Sequence, residues 1–288
     1  MKAVKHLLLM VAGVAQLCGC SGVQILDFVT PSKGYIAHKD IAYGTHARQK
    51  LDVYVPEKPD PAGGVILFFY GGSWQKGSKD MYRFVAQNFA SRGYVTVIAD
   101  YRLYPEVYYP AFVEDGAQAV SWVHQHIGAY GGRSDNLFLA GHSAGAYIAV
   151  MLSLNESFLR AQGGDISWVR GTMGVAGPYD FLPFTDPNIQ SIFSQTEDVK
   201  TQPITYANRS APPLLLMSGD ADEDVGVKNT EHLTAKLRGL GAPVTEKIYP
   251  GVGHIDIVLA LASGFDHKAP TLSDMLAFIK THSISNDR

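Results

Sequence analysis

Ser143 stands at the centre of Gly141-His142-Ser143-Ala144-Gly145, between the apolar run 137–140 (LFLA) and the helix-forming stretch 144–154. A serine hydroxyl becomes a useful nucleophile on a turn so sharp that its neighbours must be small, with a helix N-terminus behind it to favour negative charge. An acyl-transfer serine also needs amide donors aimed at the oxyanion that forms on attack. Phe69-Tyr70-Gly71-Gly72-Ser73-Trp74 follows a second apolar run, and its glycines free the backbone to turn its N–H groups outward. The expected donors are the amides of Gly72, Ser73 and Ala144. A base and an orienting carboxylate complete the chemistry. Asp220-Ala221-Asp222-Glu223-Asp224 lies just past the run 214–217, with Asp222 the first choice and Asp224 and Asp220 its competitors. His254 is expected to be the base, because it lies on the glycine-rich loop Pro250-Gly251-Val252-Gly253 after the strand-like stretch 244–249.

The competing readings are weaker. The spaced aspartates with Glu231 at the twelfth place suggest a calcium loop, but Val225 stands where such a loop needs glycine and Lys228 where it needs a ligand. Among other histidines, His232 reads as a solvated helix residue and His267 and His282 lie near the end of the chain. His142 is expected to point away from its neighbour Ser143, and His124 and His126 cannot share one helix face.

These groups need a scaffold. Residues 51–55 (LDVYV) alternate with period two, as in a half-buried antiparallel strand. The runs 65–70, 95–99, 137–140, 173–176 and 214–217 are continuously apolar, as in strands buried on both faces of a parallel sheet. Helices are expected near 79–92, 111–128, 144–154, 226–239 and 271–282. This alternation predicts one α/β domain over residues 41–283, a doubly wound sheet with an N-terminal antiparallel hairpin. The order Ser143, Asp222, His254 is the order of the α/β-hydrolase scaffold. Neither 155–212 nor the linker-like 20–40 carries a long amphipathic stretch, so little or no lid is expected.

Composition narrows the chemistry independently. Across 288 residues, 24 Lys and Arg face 27 Asp and Glu, which gives no basic footprint for nucleic acid. The two cysteines, Cys18 and Cys20, leave the remainder without thiol nucleophile, disulfide or zinc cluster. Lys2 and Lys5 precede an apolar stretch from Leu7 to Leu17, the layout of a secretory signal. Its end, Leu17-Cys18-Gly19-Cys20, resembles the bacterial lipobox. That resemblance implies a signal peptide over 1–19, lipid attachment at Cys20, and a cell-envelope protein tethered to a membrane and facing the periplasm or outer membrane. A plain secretory signal or an N-terminal helix are the alternatives.

From Lys50 to Phe278 the sequence resembles the BD-FAE and hormone-sensitive-lipase-like carboxylesterases of the α/β-hydrolase superfamily. The likeness includes Asp100-Tyr101-Arg102-Leu103-Tyr104-Pro105-Glu106, Tyr130-Gly131-Gly132 and Gly177-Pro178-Tyr179-Asp180. It implies a serine carboxylesterase without metal or other cofactor, acting on small-molecule esters. The group also includes kynurenine formamidases, so an amidase or formamidase is the alternative, and a non-catalytic binding protein on the same scaffold is a third. Its oxyanion loop usually begins His-Gly-Gly, whereas here Tyr70 takes the histidine's place. Trp74, Tyr108, Tyr109, Phe181 and Phe184 are candidates to line an acyl or aromatic pocket. Oligomeric state is not legible in the sequence.

Overall fold

The computed structural model describes residues 30–60 and 63–284. Cys20 and the stretch read as a signal lie outside the described residues. Eight strands form one sheet in the order β1-β2-β4-β3-β5-β6-β7-β8. They are β1 (Tyr35–Ala42), β2 (Lys50–Pro56), β3 (Val65–Phe69), β4 (Val95–Ala99), β5 (Leu137–His142), β6 (Val169–Val175), β7 (Leu214–Gly219) and β8 (Val244–Tyr249). β2 pairs antiparallel with both β1 and β4, and every other pairing is parallel. The helices are α1 (Arg83–Ala90), α2 (Ala111–His126), α3 (Ala144–Leu154), α4 (Ser157–Ala161), α5 (Pro187–Phe193), α6 (Lys228–Gly239), α7 (His254–Leu259) and α8 (Thr271–His282).

The apolar runs are buried for the reason their composition suggests. Every residue of β3, β4, β5 and β7 is buried, because helices cover both faces of the parallel region. Along β7 the faces alternate: Leu214 and Leu216 pack in a cluster with Val150 of α3 and Leu233 and Leu237 of α6. Leu215 and Met217 belong instead to the main core, with Ile257 of α7 and Met275 and Ile279 of α8. β1 is different, exposed along most of its length, and is bound to the sheet by backbone pairing with β2.

Three boundaries differ from the sequence reading. The sheet takes in residues 35–40, which read as linker, because backbone pairing rather than an apolar pattern recruits β1. β6 starts four residues before the apolar run. Its polar Thr172 is accommodated in the interior by a 2.5 Å hydrogen bond between the Thr172 and Ser153 hydroxyls. The expected helix 79–92 opens as a 3-10 turn over Lys79–Tyr82. There Lys79 is drawn inward, its Nζ 2.9 Å from both Asp40 and Asp52, and α1 begins only after that anchored turn.

Candidate active site

The parallel strands end together at their C-terminal edge, where α/β sheets place their ligands. β5 runs into Ser143, and α3 starts at the next residue. Ser143 has φ 54° and ψ −122°, a conformation that L-residues rarely adopt. It is held there from both sides: its N–H donates to the Val175 carbonyl at 2.9 Å, and its carbonyl accepts from the Tyr147 N–H at 3.0 Å. The two glycines of the motif are required by space. A Cβ at Gly141 would run into the backbone of Gly145, and one at Gly145 into the Phe69 carbonyl.

The loop after β3 faces Ser143. Gly72, Ser73 and Trp74 all have positive φ, at 140°, 53° and 58°. Among the described residues the N–H groups of Gly72, Ser73 and Ala144 meet no acceptor. Tyr70 anchors the loop's start. Its ring is fully buried and stacks on Tyr101 with centroids 4.5 Å apart. The Tyr70 hydroxyl accepts from Arg48 Nη2 at 2.7 Å, and Arg48 also donates to the carbonyls of Gly77 and Tyr101, each at 2.9 Å. The Tyr101 hydroxyl closes the ring of contacts on the Tyr70 carbonyl at 2.8 Å. Burial pushes the Tyr70 phenol well above its ordinary range, and the nearby Asp100 carboxylate adds to this, so the phenol stays protonated.

On the other side, His254 Nδ1 lies 2.8 Å from Asp222 Oδ2. The Asp222 side chain has no solvent exposure, and its second oxygen accepts from the backbone N–H groups of Asp224 and Val225 at 3.0 and 2.8 Å. These bonds separate the three competing aspartates. Asp220 turns to the Gly251 amide at 2.6 Å, and Asp224 stays exposed at the cavity edge. Asp222 alone of the three reaches His254.

A cavity of about 810 Å³ opens over these groups, with Ser143, His254, Gly72, Ser73 and Ala144 in its wall. Of the five aromatic residues expected to line a substrate pocket, Trp74, Phe181 and Phe184 line this cavity. Tyr108 and Tyr109 do not. Tyr109 is consumed by the core, against Phe112 and Phe193 with its hydroxyl on the Lys200 carbonyl, and Tyr108 packs edge-on to Tyr104. Helical spacing and aromatic character do not distinguish a pocket wall from the packing layer behind it.

His142 carries contacts that the sequence reading did not assign to it. It does turn away from Ser143, but toward the His254 loop: the two rings lie 4.7 Å apart, and His142 Nε2 is 3.1 Å from the His254 carbonyl oxygen. Its Nδ1 is 3.0 Å from the Tyr82 hydroxyl. Burial, with the neighbouring His254, holds the His142 pKa well below the ordinary histidine value. His232 is half-exposed on α6, as expected, and bonds to Asp180 at 2.7 Å. Arg48, Tyr82 and His142 are the residues the sequence reading missed. Of these only His142 carried a signal, its place inside the serine motif.

The BD-FAE family model matches residues 51–237, about two-thirds of the chain. The chain belongs to the BD-FAE family. This BD-FAE chain is 28% identical over 242 residues to a probable isoprenylcysteine alpha-carbonyl methylesterase of Oryza sativa subsp. japonica, covering 77% of this chain and 58% of that protein. It thus spans under two-thirds of the length of such methylesterases. It is also 28% identical over 247 residues to a kynurenine formamidase of Salmo salar, covering 82% of this chain and 81% of that one. Among solved structures, an inhibited esterase B from Lactobacillus rhamnosis superimposes with a TM-score of 0.80 at 18% identity, covering 95% of this chain and 96% of that one. A propionate-bound esterase from Thermogutta terrifontis gives 0.69 at 22% identity, over 89% and 98%. The BD-FAE chain therefore has the α/β-hydrolase fold, with its N-terminal antiparallel hairpin.

Proposed function

We propose that this BD-FAE protein is a serine carboxylesterase for small soluble esters. The observation that carries the reading is the 2.8 Å bond from His254 to buried Asp222, in the same cavity as a strained Ser143 and three acceptor-free amides. With Nδ1–H committed to Asp222, His254 keeps Nε2 to take the Ser143 proton as the hydroxyl oxygen attacks the ester carbonyl. The oxyanion falls to the amides of Gly72, Ser73 and Ala144. His254 then returns the proton to the departing alcohol, leaving an acyl group on Ser143 that water hydrolyses by the same route. The segment between β6 and β7 supplies only the seven-residue α5 and short turns, so the site suits soluble esters better than an interface-gated lipase.

Ser143→Ala should lower kcat on p-nitrophenyl butyrate by about 10⁴-fold or more, with the fold intact by circular dichroism. Unchanged turnover would overturn the assignment. Wild type should be labelled by a fluorophosphonate at Ser143; a folded protein that resists labelling would be a binding protein on this scaffold. The fish formamidase, matched over most of both chains, favours one second reading, hydrolysis of an N-formyl amide. The same catalytic residues would serve, and comparing N-formylkynurenine with esters in a single kinetic panel decides between them.

A further inference from the structure

The buried pair His142 and Tyr82 takes no part in the chemistry described above, yet it lies between three of the loops that perform it, the 70–77 loop, the Ser143 turn and the His254 loop. We propose that neutral His142, protonated on Nε2 and held by the Tyr82 hydroxyl, is a positioning residue that fixes the His254 loop against the oxyanion loop.

Hydrogen-bond valence sets the direction of every link. A backbone carbonyl only accepts, so the His142 nitrogen 3.1 Å from the His254 carbonyl oxygen, Nε2, carries a proton. Burial keeps the ring neutral, so Nδ1 is a bare lone pair and can only accept. The Tyr82 hydroxyl, 3.0 Å from Nδ1, must therefore be the donor there. Its oxygen accepts in turn from the Gly71 N–H at 3.2 Å. The result is one chain of donors, from Gly71 N–H to Tyr82 O–H to His142 Nδ1, and from His142 Nε2–H to the His254 carbonyl.

Each end of that chain is one step from a reacting group. Gly71 precedes Gly72 and Ser73, which line the cavity, and its own N–H is taken up by the Tyr82 hydroxyl. His254 is anchored through its side chain by Asp222 and through its carbonyl by His142, so ring and backbone are both held. His142 itself is joined to Ser143 by the peptide bond and sits at the end of β5. A neutral ring also suits the place: the imidazolium formed on His254 during turnover arises 4.7 Å away, where a second positive charge would oppose it.

This inference rests on the esterase reading, but its two tests are separable from it. The first is chemical and needs no turnover. Nitrogen-15 NMR of histidine-labelled full chain at pH 7 should show His142 as the neutral Nε2–H tautomer, with the Nδ1 resonance shifting in Tyr82→Phe. An Nδ1–H tautomer or a charged ring would overturn the proposal even if the enzyme is active. The second is kinetic, on p-nitrophenyl butyrate. Tyr82→Phe should lower kcat about tenfold with KM within about twofold, because positioning rather than binding is lost. His142→Gln can supply both an acceptor and a donor and should retain more activity than His142→Ala. Tyr82→Phe combined with His142→Ala should lose little beyond His142→Ala alone, the mark of a single chain. Full kcat in Tyr82→Phe, or losses that multiply in the double variant while melting temperatures track activity, would reduce the pair to ordinary core packing. An inactive, unlabelled wild type would instead indict the esterase reading and leave the NMR result to judge the tautomer.

Discussion

Two walls of the same cavity are built in opposite ways. One wall, residues 70–77, is tied by Arg48, Tyr101 and Tyr82 and carries the buried Trp74 wedged against Phe112, Tyr147 and Phe193. The facing wall, from Phe181 to Ile189, is mostly exposed and runs into a short helix; it is held by the packing of Phe181 and Phe184 on Phe193 and by a side-chain bond, from the Phe181 N–H to Gln202 Oε1 at 2.8 Å. Under the proposed esterase reading, the first wall positions the developing charge, and an error there would cost rate. The second only has to be apolar and of roughly the right shape, so it can vary with substrate. The first wall is over-determined by its contacts, and the second is not.

Substitutions that strike the two walls should therefore fail differently. The largest effect is expected at the root of the first wall. Gly145→Ala would drive a methyl group into the carbonyls of Phe69 and Tyr70, on two elements that cannot both move. A loss of about 3 kcal/mol or more is expected, read as a collapsed urea midpoint; a near-native midpoint would show that β3 and α3 are less rigid than the packing implies. Next, Arg48→Met leaves the Tyr70 hydroxyl and the Gly77 carbonyl without their donor. Because Arg48 is partly exposed, a loss of about 2 kcal/mol is expected, with kcat down about tenfold as the loop loosens. A kcat equal to wild type would mean the Tyr70 anchor serves stability alone. The smallest effect on stability belongs to the second wall. Phe184→Ala should move the melting temperature by no more than about 2 °C, yet shift the ratio of kcat/KM for octanoate over acetate esters several-fold. An unchanged ratio would place the acyl group elsewhere in the cavity.

Legibility in the sequence follows the same division. The parallel strands were readable because double burial demands unbroken apolar runs, and Ser143 because its turn demands two glycines. Residues 35–40 of β1 read as linker because an exposed edge strand held by backbone pairing needs no apolar pattern. Asp222 could be preferred among three aspartates, but the Asp224 and Val225 amides and the His254 ring are what separate it from Asp220 and Asp224. Tyr108 and Tyr109 looked as suitable for a pocket as Phe181 and Phe184. Which rings face the cavity depends on the packing of α5 and α2, and no local spacing encodes that.

The sequence by itself determined the scaffold, the serine turn, the glycine-rich loop after β3 and the order along the chain of the three groups that the proposed mechanism uses. Each depends on short-range demands: apolar continuity, small residues at a strained turn, and functional residues at the ends of strands. The tertiary structure alone decided that Tyr70 is clamped by Arg48, and that His142 turns toward His254 rather than into solvent. It also decided that a tyrosine from a 3-10 turn bonds to the histidine of the serine motif. Those contacts join residues tens to more than a hundred positions apart. They are fixed by which buried donors and acceptors must find one another once water is excluded, a condition that exists only in the folded chain.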